Sequence, residues 1–131
     1  MQRACLTLVA LLVAGAVSAE DPEPGVAPSI TPNELHAQSV SGSAPVIVDV
    51  RTPEEFASSH IAGAINIPFD EVAERIEEID APEGVALYCM VGPRARKGES
   101  VLLAAGYDKV FHIEGGLAAW QAAGLPVTNA P

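Results

Sequence analysis

Cys89 lies in the stretch Tyr88-Cys89-Met90-Val91-Gly92-Pro93-Arg94-Ala95-Arg96-Lys97. An apolar run, Gly84 to Tyr88, precedes it; a glycine, a proline and three cations follow. This order predicts a strand ending at Cys89, a tight turn, and a helix starting near Arg94. The backbone N–H groups of Met90, Val91, Gly92, Ala95 and their neighbours then curl around a point above the sulfur. Such a loop is an anion nest, strengthened by the positive end of the helix behind it. Gly92 admits backbone angles closed to other residues, Pro93 stiffens the turn, and Arg94 brings a planar fork of donors suited to an oxyanion. These surroundings favour a thiolate over a thiol. They also hold an anionic substrate above a nucleophile. The competing reading is a small apolar residue buried at a strand end; the turn, glycine and arginine argue for the reactive one. Arg96 and Lys97 read as solvated helix positions.

The flanking sequence supplies elements to position this loop. Thr31-Pro32-Asn33-Glu34 and Thr52-Pro53-Glu54-Glu55 are capping boxes with proline at the first helical position, each opening a short helix. Val46 to Val50 and Gly84 to Cys89 are continuous apolar runs, expected for strands covered on both faces. Gly63 to Pro68 and Lys109 to Ile113 read as further strands. Phe69 to Ile79 carries Val72, Ile76 and Ile79 at helical spacing, with Asp70 as N-cap, and predicts a helix. Further helices are expected from Arg94, closed by Gly106, and over Gly116 to Gly124. Strands alternating with helices argue an α/β domain with a parallel sheet and helices on both faces. In such sheets ligands bind at the carboxyl ends of the strands, where Cys89 and Asp49 both fall.

Composition bounds the rest. The 131 residues suit one domain, and 49% are hydrophobic. Residues 1–19 read as a secretory signal: Arg3, an apolar run from Ala4 to Val17, then Val17-Ser18-Ala19 before the expected cleavage at Glu20. The run is shorter than the roughly 20 residues a membrane-spanning helix needs, so no stable membrane anchor is expected after cleavage. Residues 20–29 read as a Pro- and acid-rich linker and 30–128 as the domain. The protein is expected to be exported, periplasmic or secreted. Without Arg3, six cations face seventeen acids, a charge of −11. Binding to nucleic acid is not expected of so acidic a body. Of two cysteines, Cys5 is lost with the signal, which leaves Cys89 unpaired in an oxidising compartment.

Three stretches carry a family resemblance. Cys89-Met90-Val91-Gly92-Pro93-Arg94 resembles the C-x-x-G-x-R loop of rhodanese-like sulfurtransferases. Val46 to Pro68 resembles the family's D-V-R…E-F…H-I-x-G-A-x-N-I-P stretch, and Leu102 to Trp120 its G-[FY]-x-x-V…L-x-G-G-x-x-A-W stretch. The resemblance implies a small central parallel sheet of about five strands and a persulfide mechanism. Cys89 would be catalytic, and Met90, Val91, Gly92, Pro93, Arg94 and Ala95 would bind the substrate. The substrate would be a small anionic sulfur donor such as thiosulfate, the acceptor cyanide, a thiol or a protein partner. No cofactor or metal is implied. Related phosphatases on this fold have five residues between cysteine and arginine; here there are four. Met90 and Val91 depart from thiosulfate-using members that place a cation beside the cysteine.

Asp49 and Arg51 are read as an ion pair that supports the loop, with an acid and a cation for catalysis as the alternative. His60 is read as part of a structural turn, with acid–base work as the alternative. His36 and His112 show no metal-ligand spacing with Cys89, and Glu114 reads as a cap or a pair. A non-catalytic sulfur carrier, or a binding module on the same fold, is the competing function.

Overall fold

The computed structural model describes residues 25–129. The expected signal at 1–19 and the first linker residues, to 24, lie outside them. Five strands form one parallel sheet: β1 (Ser29–Ile30), β2 (Val46–Asp49), β4 (Ile65–Asn66), β5 (Val85–Tyr88) and β6 (Val110–Ile113), in the order β1-β6-β5-β2-β4. Two short strands, β3 (His60–Ile61) and β7 (Val127–Thr128), pair antiparallel beside it. Among the described residues four α-helices complete the fold: α1 (Pro32–Ser41), α2 (Pro53–Ser58), α3 (Pro93–Ala104) and α4 (Gly116–Ala122).

Side-chain alternation along the strands builds two apolar layers. Val48, Val50, Val85, Leu87, Cys89 and Val110 face α3 and share a cluster with Leu102 and Val72. Ile47, Ala86, Tyr88 and Ile113 face the other way, against Leu35 of α1 and Leu117 and Trp120 of α4. Both faces of β2 and β5 are therefore covered, which is why their sequences run apolar without alternation. Both expected capping boxes form. Glu34 N–H donates to Thr31 Oγ1 at 3.2 Å and Glu55 N–H to Thr52 Oγ1 at 3.2 Å.

One expectation is corrected. Phe69 to Ile79 is not an α-helix: it forms two single 3₁₀ turns, Phe69–Glu71 and Ile76–Glu78, and Asp70 caps nothing. Helical spacing would stack Asp70, Glu74, Glu77 and Glu78 within one or two turns of one another, which is repulsive. The Tyr107 hydroxyl, 3.3 Å from the Ile76 carbonyl and 3.5 Å from that of Ile79, also engages acceptors near the segment's end. Val72 and Ile79 still reach the core, so the apolar spacing marked burial rather than a helix. The sheet also takes in the end of the stretch read as a linker. Ala27 is buried, and the Pro28 and Ile30 carbonyls accept from the His112 and Glu114 N–H groups. The packed domain thus begins three residues before Ile30, because the last part of the supposed linker is the edge strand of the sheet.

Tyr88 links the main sheet to the small ribbon. Its hydroxyl accepts from the buried Ile61 N–H at 3.0 Å, and burial together with Asp49 pushes its ionisation well above the ordinary phenol range. Tyr88→Phe strands that N–H in an apolar layer. Urea denaturation should show a loss of about 1–3 kcal/mol, the cost of an unmade buried hydrogen bond.

Candidate active site

Cys89 follows the last residue of β5 and is buried, 1% exposed. The Gly92 N–H donates to its Sγ at 3.1 Å. Gly92 takes φ 155°, a left-handed angle that lets the chain double back over the sulfur before Pro93 opens α3. At the helix start the Arg94 and Ala95 amides have no intrahelical acceptor, and the first such bond runs from Arg96 N–H to the Gly92 carbonyl.

The carbonyl side of the loop is held by α4. Leu117 N–H donates to the Cys89 carbonyl at 2.9 Å and Ala118 N–H to that of Met90 at 3.1 Å. These are amides that the first turn of any helix leaves unsatisfied. A trans peptide points its N–H opposite to its carbonyl. Fixing both carbonyls on α4 therefore turns the Met90 and Val91 N–H groups away from that helix. Gly116 permits this approach. It has φ 60°, and a Cβ there would stand 2.6 Å from both carbonyl oxygens. The loop can thus offer a fan of backbone donors to an anion above Sγ.

The predicted binding residues divide. Gly92 contacts the sulfur, and Ala95 is buried beneath the loop. Pro93 is exposed, and Met90 and Val91 form an apolar rim, 39% and 61% exposed. Arg94 does not stand free. Its Nη1 and Nη2 grip the Glu55 carboxylate at 2.7 and 3.1 Å. The Arg94 guanidinium holds the Glu55 carboxyl down to about 2, aided by Thr52, and Glu55 in turn raises Arg94. Glu55 was visible in the sequence only as part of a capping box; the box fixes it on the turn that faces Arg94.

Asp49 and Arg51 form a buried ion pair: Arg51 Nη2 lies 2.7 Å from Asp49 Oδ2, and its Nε donates to both carboxylate oxygens. Arg51 also donates to the Ser59 carbonyl, and its guanidinium lies 5.9 Å over the Tyr88 ring. The pair is therefore on the Tyr88 face, opposite Cys89, where it ties β2 to the end of α2. His60 stacks on Phe56 at 3.6 Å, with Nδ1 2.7 Å from the Phe56 carbonyl, a structural placement. Arg96 is not simply solvated: its Nη1 donates to the Ala27 carbonyl and to Glu99. Lys97 is exposed, its ammonium 5.3 Å over Phe69. A groove of about 490 Å³ opens at the amino ends of the strands, among Pro45, Val46 and Ile65, but no ionisable side chain lines it. Cys89 stands at the other, carboxyl end of the sheet.

The chain is an α/β domain whose parallel sheet carries Cys89 at its carboxyl edge, with the Gly92 N–H on the sulfur. The chain belongs to the rhodanese-like domain family, which it matches over residues 31–123. It is 33% identical to a sulfurtransferase of Allochromatium vinosum across 72% of this chain and 94% of that protein. It is 36% identical to an HTH-type transcriptional regulator of Mycobacterium tuberculosis across 86% of this chain and 50% of that one. A rhodanese-related protein from Thermoplasma volcanium has a similar structure, with TM-score 0.71 and 29% identity, covering 79% of this chain and 99% of that one.

The Glu55–Arg94 pair makes loop support pH-dependent. Unfolded Glu55 takes up its proton near the ordinary 4.5, folded Glu55 only near 2. Its contribution is whole above pH 4.5 and is lost as pH falls toward 2. Denaturation midpoints of wild type and Glu55→Gln should therefore differ at about pH 6 and converge at the acid end.

Proposed function

We propose that the protein is a sulfurtransferase that carries sulfane sulfur on Cys89. The observation that carries this reading is the Gly92 N–H on Sγ, at the floor of a loop whose carbonyls are turned outward. The Cys89 thiolate attacks the outer sulfur of thiosulfate. The S–S bond of the donor breaks, and its electron pair leaves with sulfite. The Cys89 persulfide rests under the loop amides, its terminal sulfur still anionic. A thiolate or cyanide then attacks that sulfur, the Cys89 S–S bond breaks, and the pair returns to Sγ. Charge is conserved in each step, so the loop must stabilise an anion throughout. The name of the Allochromatium vinosum relative supports the sulfur-transfer class.

A sulfur carrier that receives persulfide from a protein is the second reading. The exposed Met90 and Val91 favour it, since an apolar rim suits a bulky donor better than a small dianion. The engagement of Arg94 by Glu55 favours it too.

Thiosulfate:cyanide sulfur transfer should be measured for the mature chain beside Cys89→Ser and Arg94→Ala. Activity should vanish in the first and fall about ten- to a hundredfold in the second, the loss of a charge-assisted contact. No turnover, with a sulfur adduct on Cys89 after exposure to a persulfide, selects the carrier. No sulfur uptake at all leaves the binding module.

Residues 1–19 support an exported protein, periplasmic or secreted, without a lasting membrane anchor. N-terminal sequencing of the protein secreted from an expressing cell should begin at Glu20. A chain that keeps Met1 overturns the cleavage and leaves residues 1–19 as an uncleaved anchor.

A further inference from the structure

His112 is a buried titratable group that the mechanism above leaves unused. It lies on β6 in register with Leu87, so it shares with Leu87 and Cys89 the sheet face covered by α3. Its Nδ1 is 2.6 Å from Glu99 Oε2, and Glu99, in the middle of α3, is 1% exposed. The other Glu99 oxygen accepts from Arg96 Nη1 at 3.2 Å. A carboxylate only accepts hydrogen bonds, so the Nδ1 atom carries the proton and Nε2 becomes the site that gains or loses one. Nε2 and Cε1 each lie 3.6 Å from the position of a Cβ built on Gly92. The free edge of the ring therefore rests beside the residue whose N–H holds Sγ. Nε2 makes no hydrogen bond among the described residues, yet no buried side-chain nitrogen or oxygen there is left without a partner. Nε2 thus retains contact with solvent. Apolar packing would serve a core layer at least as well as a buried ionic triad.

We propose that His112, oriented by Glu99, is a positioning residue whose protonation at Nε2 sets the reactivity of Cys89. With Nε2 bare, Arg96, Glu99 and His112 carry no net charge; with Nε2 protonated they carry one positive charge behind the loop. The surrounding charges are engaged elsewhere, so this charge meets the Cys89 thiolate that the proposed activity requires. On α3, Arg94 is engaged by Glu55, and exposed Lys97 sits over Phe69. Asp49 and Arg51 pair on the opposite sheet face. Glu114, beyond the end of β6, is exposed to solvent. Among the described residues, β1 and the arm before it bring carbonyls and no charge. In a poorly polarisable layer the coupling between imidazolium and sulfur anion is strong.

Two measurements on the full chain test this, and both rest on Cys89 as the reacting group while neither needs sulfur transfer. The first is the rate of Cys89 alkylation by iodoacetamide against pH. Wild type should show, besides the thiol, a second ionisation in the imidazole range of about pH 5–8. His112→Gln should lack it and react about tenfold more slowly near neutrality. The second is an NMR titration of the His112 ring in wild type and in Cys89→Ser, which leaves the histidine intact should His112→Gln fail to fold. Removing the sulfur anion should move the ring's midpoint to lower pH. Coincident alkylation profiles for wild type and a folded His112→Gln, or an unmoved midpoint in Cys89→Ser, overturn the proposal. Coupled titrations in a protein that transfers no sulfur would support it and overturn the proposed activity instead.

Discussion

The loop around Cys89 depends on two hydrogen bonds donated by the first turn of α4. A strand end, a turn and a helix start would not by themselves fix which way the peptides face. Leu117 and Ala118 decide it by drawing the Cys89 and Met90 carbonyls to themselves. The same bonds satisfy amides that α4 could not satisfy internally. Each element thus supplies what the other lacks, and the contact is as close as it is because Gly116 has no side chain. Everything proposed for the sulfur presumes that orientation.

Charge is managed around the loop by pairing. A protein with ten more acids than bases, counted over the full chain, is a poor host for an anion. Its solution is local: Glu55 is bound by Arg94, Asp49 by Arg51, and Glu99 by Arg96 and His112. Each of these carboxylates is held by a cation, on either face of the sheet, so none stands unpaired beside the loop. The arrangement also explains why the cations gather in the first turns of α3 rather than being spread along the chain.

Much of this was legible in the sequence, and the reasons differ by residue. Cys89, Gly92 and Pro93 declare a strand-turn-helix because glycine and proline constrain the backbone directly. Both capping boxes were readable because they are local. The Phe69 to Ile79 segment was not: its apolar spacing outweighed the clash among its own acids in the reading, and the bonds from Tyr107 come from outside any local pattern. The partners of Arg94 and His112 were hidden for the same reason. Glu55 precedes Arg94 by 39 residues and Glu99 precedes His112 by 13, and only the sheet order brings them together. His112 was weighed as a metal ligand and set aside, although its place on the strand beside that of Cys89 would have followed from the parallel sheet.

The register of β1 has a consequence for how the molecule comes into being. Ser29 pairs with His112, so the first strand made waits for the last strand of the main sheet. Contacts between such distant segments form late, because closing a long chain costs entropy before it is repaid. The turns of α4 that shape the loop lie later still. A growing chain therefore carries Cys89 without its loop support from the addition of that residue until α4 follows. A chain cut short of α4 has the cysteine without the two amides that orient its loop.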